Sequence, residues 1–160
     1  MTPAIEAAAA AGIKIGVHPY LHDPGNKQYG VEAAEALDAL KASVFKTLVI
    51  DVGTAANRRY AVALLPVPNA LKLKAAAAAL GHKKAAMADP ATAERVTGYV
   101  RGGISPIGTR TQLPTVIDTS VRDFDRIYCS GGKRGLDISI GWEDLVFLTN
   151  ATLASITRKT

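Results

Sequence analysis

Strands that return in hairpins, interspersed with short helices, predict an α+β fold and argue against a doubly wound parallel sheet. The chain has 160 residues, 48% of them hydrophobic, enough to bury a sizeable core in a single domain spanning residues 1–160. No internal repeat or low-complexity linker divides it.

The elements follow in order. Thr2 before Pro3 reads as an N-cap with proline at the first helical position, and Gly12 ends that helix. Ile13, Ile15 and Val17 alternate with Lys14 and Gly16, which predicts a half-buried strand ending near Tyr20. Asp23-Pro24-Gly25-Asn26 marks a loop. Val31 to Leu40 then has helical periodicity, with Glu32, Glu35 and Asp38 turned to water. Phe45 to Val52 is the strongest strand signal; Gly53 to Asn57 makes a turn, and Arg59 to Leu65 returns as its hairpin partner. Lys72 to Leu80 is an Ala-rich helix closed by Gly81, and Asp89-Pro90 opens a shorter one that Gly98 ends. Val116 to Asp118, Ile127 to Cys129 and Leu136 to Ile140 predict three further strands. A helix from Gly141-Trp142 to Leu148 and an edge strand from Ala151 to Ile156 complete the chain.

Composition excludes several classes. No run approaches the roughly eighteen apolar residues of a membrane span, so no membrane association is expected. The N-terminus has neither a basic segment nor a cleavage pattern, and the lone Cys129 suits a reducing compartment, so the expected location is the cytoplasm. A net charge of +5 permits nucleic acid as a partner without demanding it.

Familiar catalytic motifs are missing. Gly132-Lys133 is followed by Arg134 where a P-loop needs Ser or Thr, and Ile127 stands where its first glycine belongs. No Gly-x-Gly-x-x-Gly follows a strand, and no Gly-x-Ser-x-Gly elbow exists. His18 and His22 are four apart, but Pro19 between them breaks the helical logic of a metal pair, so hydrogen-bonded structural histidines and no metal are expected. Cys129 lies inside an apolar strand and reads as an inert small hydrophobe.

Three segments retain chemical promise. Ser130-Gly131-Gly132-Lys133-Arg134-Gly135-Leu136-Asp137 is a backbone-exposing turn between strands. It suits an anionic ligand, or else it is a tight hairpin whose two cations keep its tip soluble. Gly102-Gly103-Ile104-Ser105-Pro106, flanked by Arg101 and Arg110, is a second such loop. Lys46, between Phe45 and Thr47, stands at the entry to the strongest strand, as a ligand anchor or as an ordinary edge lysine.

Taken together and in register, Phe45-Lys46-Thr47-Leu48, Ala88-Asp89-Pro90, Thr97-Gly98-Tyr99, Gly102 to Pro106, Leu113-Pro114-Thr115 and Ser130 to Asp137 carry a resemblance. The chain resembles, over nearly its whole length, the YbaK/EbsC family of bacterial Cys-tRNA(Pro) and Cys-tRNA(Cys) deacylases, relatives of the prolyl-tRNA synthetase editing domain. The resemblance implies a single α+β domain whose curved, barrel-like mixed sheet is flanked by helices. It implies trans-editing of mischarged tRNA with no cofactor, and prolyl-tRNA synthetase as a partner. In such enzymes the substrate's own thiol attacks its ester, which supplies the nucleophile the sequence lacks.

Carried onto matching positions, the resemblance makes Lys46 the anchor of the tRNA 3′ end. Gly102 and Gly103 become the backbone wall that stabilises the oxyanion. Ser130 with Gly131 and Gly132 forms the opposite wall, and Asp137 is the acid that holds the α-ammonium or orients Lys46. Tyr20, Thr47, Ile104 and Ser105 complete the substrate-binding set, with Tyr20 near the terminal adenine. Cys129 and Arg101 differ from the residues expected in relatives, without touching a motif position. Two alternatives stand beside this reading: a water-using hydrolase of Ala-tRNA(Pro), and a non-catalytic module that binds tRNA or a synthetase.

Overall fold

The computed structural model describes residues 1–159. Its first half runs α1 (Pro3–Ala10), β1 (Gly16–Pro19), α2 (Tyr29–Ala36), β2 (Phe45–Asp51), β3 (Tyr60–Pro66), β4 (Asn69–Leu71) and α3 (Leu73–Ala79). The second half runs β5 (Ala86–Met87), α4 (Pro90–Thr97), β6 (Thr115–Asp118), β7 (Arg126–Lys133), β8 (Leu136–Gly141), α5 (Trp142–Thr149), β9 (Thr152–Ala154) and β10 (Thr157–Lys159).

Local chemistry sets most boundaries. The Thr2 hydroxyl accepts the Ile5 N–H at 3.3 Å and Pro3 opens α1. Asp89 and Pro90 repeat the device at α4, which Gly98 closes in the left-handed region at φ 80°. The hairpin of β2 and β3 is antiparallel from Phe45 opposite Pro66 to Asp51 opposite Tyr60. β3 is buried on both faces, because it is sandwiched between two apolar clusters. Leu64 faces a cluster with Phe45, Ile117, Ile127, Ile138 and Leu145, while Ala63 and Leu65 face Ile50, Ala76, Val116 and Ile156. Each fully buried Leu or Ile contributes roughly 1.5–3 kcal/mol, so these clusters, more than helix propensity, hold the layers together.

The strands form a mixed five-stranded sheet in the order β5-β2-β3-β6-β9, an antiparallel sheet β1-β8-β7, and a two-stranded β10-β4 ribbon. The expected α+β class is therefore present, but the sheet does not close into a barrel. A parallel bridge from Val44 to Tyr128 joins the two larger sheets, and two-residue β5 reaches only Ile50 and Asp51 of β2. The first half of β2 is thus left with an open edge, and the candidate site lies there.

Four local expectations need correction. The first strand begins at Gly16, after Ile13 and Ile15 have packed as loop residues against the core. α2 begins at Tyr29 and ends at Ala36, earlier than its periodicity suggests. Glu32, expected in water, is buried because it has partners: one oxygen lies 2.6 Å from His22 Nδ1 and the other accepts the Asp23 N–H at 2.9 Å. The final edge strand splits into β9 and β10 around Ile156, whose N–H donates to the buried Asp118 carboxylate at 3.0 Å. Among the described residues no helix is long and apolar enough to cross a membrane.

Candidate active site

Hydrogen bonding along an antiparallel strand alternates between its two edges. Val44 and Val52 bond toward the β3 side, through the Val67 N–H and the Arg59 carbonyl, so the odd-numbered residues of β2 face the opposite edge. Val49 confirms the phase, since its carbonyl accepts the Ala88 N–H at 3.0 Å. Thr47, between that bond and the Val44–Tyr128 bridge, turns its peptide groups to the open edge. Beside it the Lys46 ammonium donates to the Val67 carbonyl at 3.2 Å. Partial burial there pulls its pKa below the ordinary lysine value of 10.5.

The opposite wall comes from β7 and β8. Ser130 pairs with Asp137, and the register then shifts so that Lys133 faces Leu136, which makes Gly131 and Gly132 a bulge. Gly132 adopts φ 107°, and its N–H donates to the Ser130 hydroxyl oxygen at 3.1 Å. That bond leaves the Ser130 proton free to donate elsewhere. The bulge extends β7 to Lys133, so the turn itself shrinks to Arg134 and Gly135.

Asp137 is only 5% exposed; its carboxylate borders the cavity and makes no hydrogen bond or ion pair with another described residue. Burial alone pushes its carboxyl from 3.8 up to about 7. Tyr20, bound through its N–H to the Gly135 carbonyl at 2.9 Å, is pushed up to about 12 by burial, and the charges of Asp137 and Glu32 add to this.

The loop after α4 supplies the third wall. Gly102 lies at φ 84°, and a Cβ there would come within 2.5 Å of the Tyr29 ring. Gly103 donates its N–H to the Val100 carbonyl at 2.8 Å, whereas no partner within the described residues takes the Gly102 N–H. The Arg134 guanidinium stacks over Tyr29 at 5.3 Å and donates to the Arg101 carbonyl at 2.7 Å, tying the loop to the β7–β8 turn.

These walls enclose a cavity of about 470 Å³, within the range of small-ligand sites. Of the expected site residues, Tyr20, Lys46, Thr47, Gly102, Ile104, Ser130 and Asp137 line it together. Gly103, Ser105, Gly131 and Gly132 are not part of its lining. Gly103 packs against the Lys133 backbone, and fully buried Ser105 accepts the Ile107 N–H at 3.3 Å. The Gly131 carbonyl accepts from the Thr2 hydroxyl, and Gly132 abuts Thr2 and Tyr99. The cavity also takes Gln28, Tyr29 and Val31 from the start of α2, with Val67 and Met87. Sequence reasoning missed these because nothing local says that the α2 start crosses to the glycine loop; a lone aromatic before an apolar helix was the only signal.

Cys129 is fully buried, and burial raises its thiol well above the ordinary range, so it offers no thiolate. His18 and His22 are held by Ser139 at 2.8 Å and Glu32 at 2.6 Å, as expected of structural histidines.

Comparison with known proteins fits this geometry. The profile of the aminoacyl-tRNA editing domain matches residues 24–148. The chain belongs to the aminoacyl-tRNA editing domain family. This editing domain is 41% identical over 127 residues to an Enterococcus faecalis protein named "Putative Cys-tRNA(Pro)/Cys-tRNA(Cys) deacylase EbsC", covering 79% of the chain and 75% of that relative. Two solved structures share the editing-domain fold at low sequence identity. A hypothetical protein superposes with TM-score 0.85, 20% identity and coverage of 98% and 99% of the two chains. "A putative trans-editing enzyme for prolyl tRNA synthetase" superposes with TM-score 0.77, 24% identity and coverage of 97% and 92%.

Proposed function

We propose that this chain is a trans-editing aminoacyl-tRNA deacylase that removes cysteine from mischarged Cys-tRNA(Pro) and Cys-tRNA(Cys), acting in the cytoplasm and meeting its substrate beside prolyl-tRNA synthetase. The observation that carries the reading is the convergence of Lys46, Gly102, Ser130 and Asp137, from three distant stretches, on a cavity whose described lining holds neither cysteine nor histidine. Such a site binds and orients, and the nucleophile arrives with the substrate. The need is physical: a synthetase pocket separates isosteric amino acids only about 10–200-fold by packing, so a second site must destroy the wrong product.

The reaction balances without water. The cysteinyl sulfur attacks the ester carbonyl carbon; the new C–S bond closes a thiolactone and the bond to the ribose oxygen breaks. The thiol proton ends on the departing ribose hydroxyl. With a thiol pKa of about 8.5 a few per cent is thiolate at neutral pH, and intramolecular effective molarities on the order of 10⁵ M or more make up for that scarcity.

In this reading the unpartnered Gly102 N–H meets the developing oxyanion. Gly103 supports the loop, because its own N–H is engaged with Val100. The Ser130 proton adds a second donor. Asp137 takes the α-ammonium, whose charge would draw its carboxyl into the ionised form. Lys46 anchors the phosphate or ribose of the terminal adenosine as a point charge.

The test offers the purified protein Cys-, Ala-, Ser- and Pro-tRNA side by side and identifies the sulfur product. Release of cysteine as thiolactone, with Ala- and Ser-tRNA spared, is expected. Equal turnover of Ala-tRNA(Pro) would replace cyclisation with water attack, and binding without turnover of any ester would leave a tRNA-binding module.

A further inference from the structure

The four motif cations, Arg101, Arg110, Lys133 and Arg134, have no part in the chemistry above; the fold brings Arg101, Lys133 and Arg134 together beside the cavity, and ties Arg110 to Arg95 at the end of α4 that leads into the same glycine loop. Arg101 lines the mouth itself. Arg134 reaches it by donating to the Arg101 carbonyl at 2.7 Å while lying over Tyr29. The Lys133 backbone packs directly on Gly103. Arg110 donates from one guanidinium nitrogen to the Arg95 carbonyl at 3.1 Å, and its N–H bonds the Thr97 carbonyl at 2.8 Å.

All five are exposed. Among the described residues none has a carboxylate within ion-pair distance, and Glu94, the acid of this segment, uses one oxygen to accept the Arg101 N–H at 2.7 Å. Two of the guanidinium groups are therefore held in place by carbonyls, which orient them without neutralising them. Two arginine forks, oriented but not neutralised, match the phosphates of a nucleic-acid backbone, where planar donors bind pairs of oxygens.

From this juxtaposition the geometry points to an acceptor-stem clamp: these cations grip the phosphates of the tRNA stem leading to the 3′ end in the cavity. The inference rests on the deacylase reading for what lies in the cavity, but not for the clamp itself. A clamp on phosphates adds affinity for tRNA and no discrimination among amino acids.

The experiment uses the double variant Arg110→Gln/Lys133→Gln, neither residue lining the cavity, with Lys74→Gln/Lys84→Gln as an equal charge change outside the cluster. Binding of uncharged tRNA(Pro) is titrated across salt concentrations, and thermal midpoints verify folding of each variant. Each lost phosphate contact lowers the slope of log K against log salt by about 0.7–0.9, so the first variant should lose about 1.4–1.8 and the control nothing. Turnover of a 2′(3′)-O-cysteinyl adenosine ester, which has no stem, should match wild type in both variants. An unchanged slope in Arg110→Gln/Lys133→Gln, or an equal loss in the control, overturns the clamp. Failure of wild type to cleave either the small ester or Cys-tRNA(Pro) would instead sink the deacylase reading while leaving the slope measurement intact.

Discussion

Asp137→Asn should make this protein more stable and less active at once. Asp137 sits in β8 between its register partners Ser130 and His18, 5% exposed and without a hydrogen-bonding partner among the described residues. Burial moves its carboxyl from 3.8 to about 7. Below pH 3.8 the group is protonated in both folded and unfolded chains and nothing is lost. Between that value and about 7 the folded protein keeps a proton that the unfolded chain has released, so stability falls as pH rises. Above about 7 both states are ionised and the whole penalty remains. At 1.36 kcal/mol per pH unit, the three or so units amount to about 4 kcal/mol. A neutral amide of the same shape escapes that penalty and meets only its own smaller burial cost. Urea unfolding should therefore find Asp137→Asn stabilised by about 2–4 kcal/mol at pH 8, and no different from wild type near pH 4. Deacylation of Cys-tRNA(Pro) should fall about 10–100-fold, the worth of one charge-assisted hydrogen bond of roughly 1.5–3 kcal/mol to the α-ammonium. A stability difference that is flat with pH, or a loss of stability at pH 8, would refute the argument that Asp137 is held against its solvation for the substrate's sake.

Other outcomes follow from the same geometry. Lys46→Ala should leave the thermal midpoint within a few degrees of wild type, since the half-buried ammonium has a single long bond to Val67, while single-turnover deacylation is abolished; near-normal rates would remove Lys46 from the site. Gly102→Ala and Gly103→Ala should separate function from folding. At Gly102 the new methyl meets a Tyr29 ring that can swing into the cavity, with about 1–2 kcal/mol of left-handed strain, so activity should fall more than stability. At Gly103 it meets the Lys133 backbone within 2.9 Å, so expression and thermal midpoint should suffer first; the reverse ranking would mean that the loop is placed differently. Cys129→Ala should keep wild-type turnover and lose roughly 1–3 kcal/mol of stability through the cavity it leaves in the core. A folded but inactive variant would restore a protein nucleophile.

Much of the architecture was legible residue by residue, because it depends on neighbours in the chain. Thr2-Pro3, Asp89-Pro90 and Gly98 act on the backbone within a turn of themselves, and the apolar, β-branched run within Phe45 to Asp51 needs only a partner to become a strand. The short strands escaped for the same reason. Asn69–Leu71 and Thr157–Lys159 are three residues each and exist because they pair with one another, a contact that no local pattern announces. Glu32 looked like a solvated acid until His22 and the Asp23 N–H were brought to it.

The sequence by itself determined which residues are fit for this chemistry: a lysine at a strand entry, two glycine loops, a serine and an acid seven residues apart, and a cysteine inside an apolar strand. The tertiary structure decided what each of them does. It left the β2 edge open where the sheet fails to close, engaged the Gly103 N–H while leaving that of Gly102, turned the Gly131–Gly132 bulge into a support for Ser130, and buried Asp137 without a partner. Those outcomes depend on solvent exclusion and on hydrogen bonds between segments far apart in the chain, and these exist only once the walls have met around one cavity.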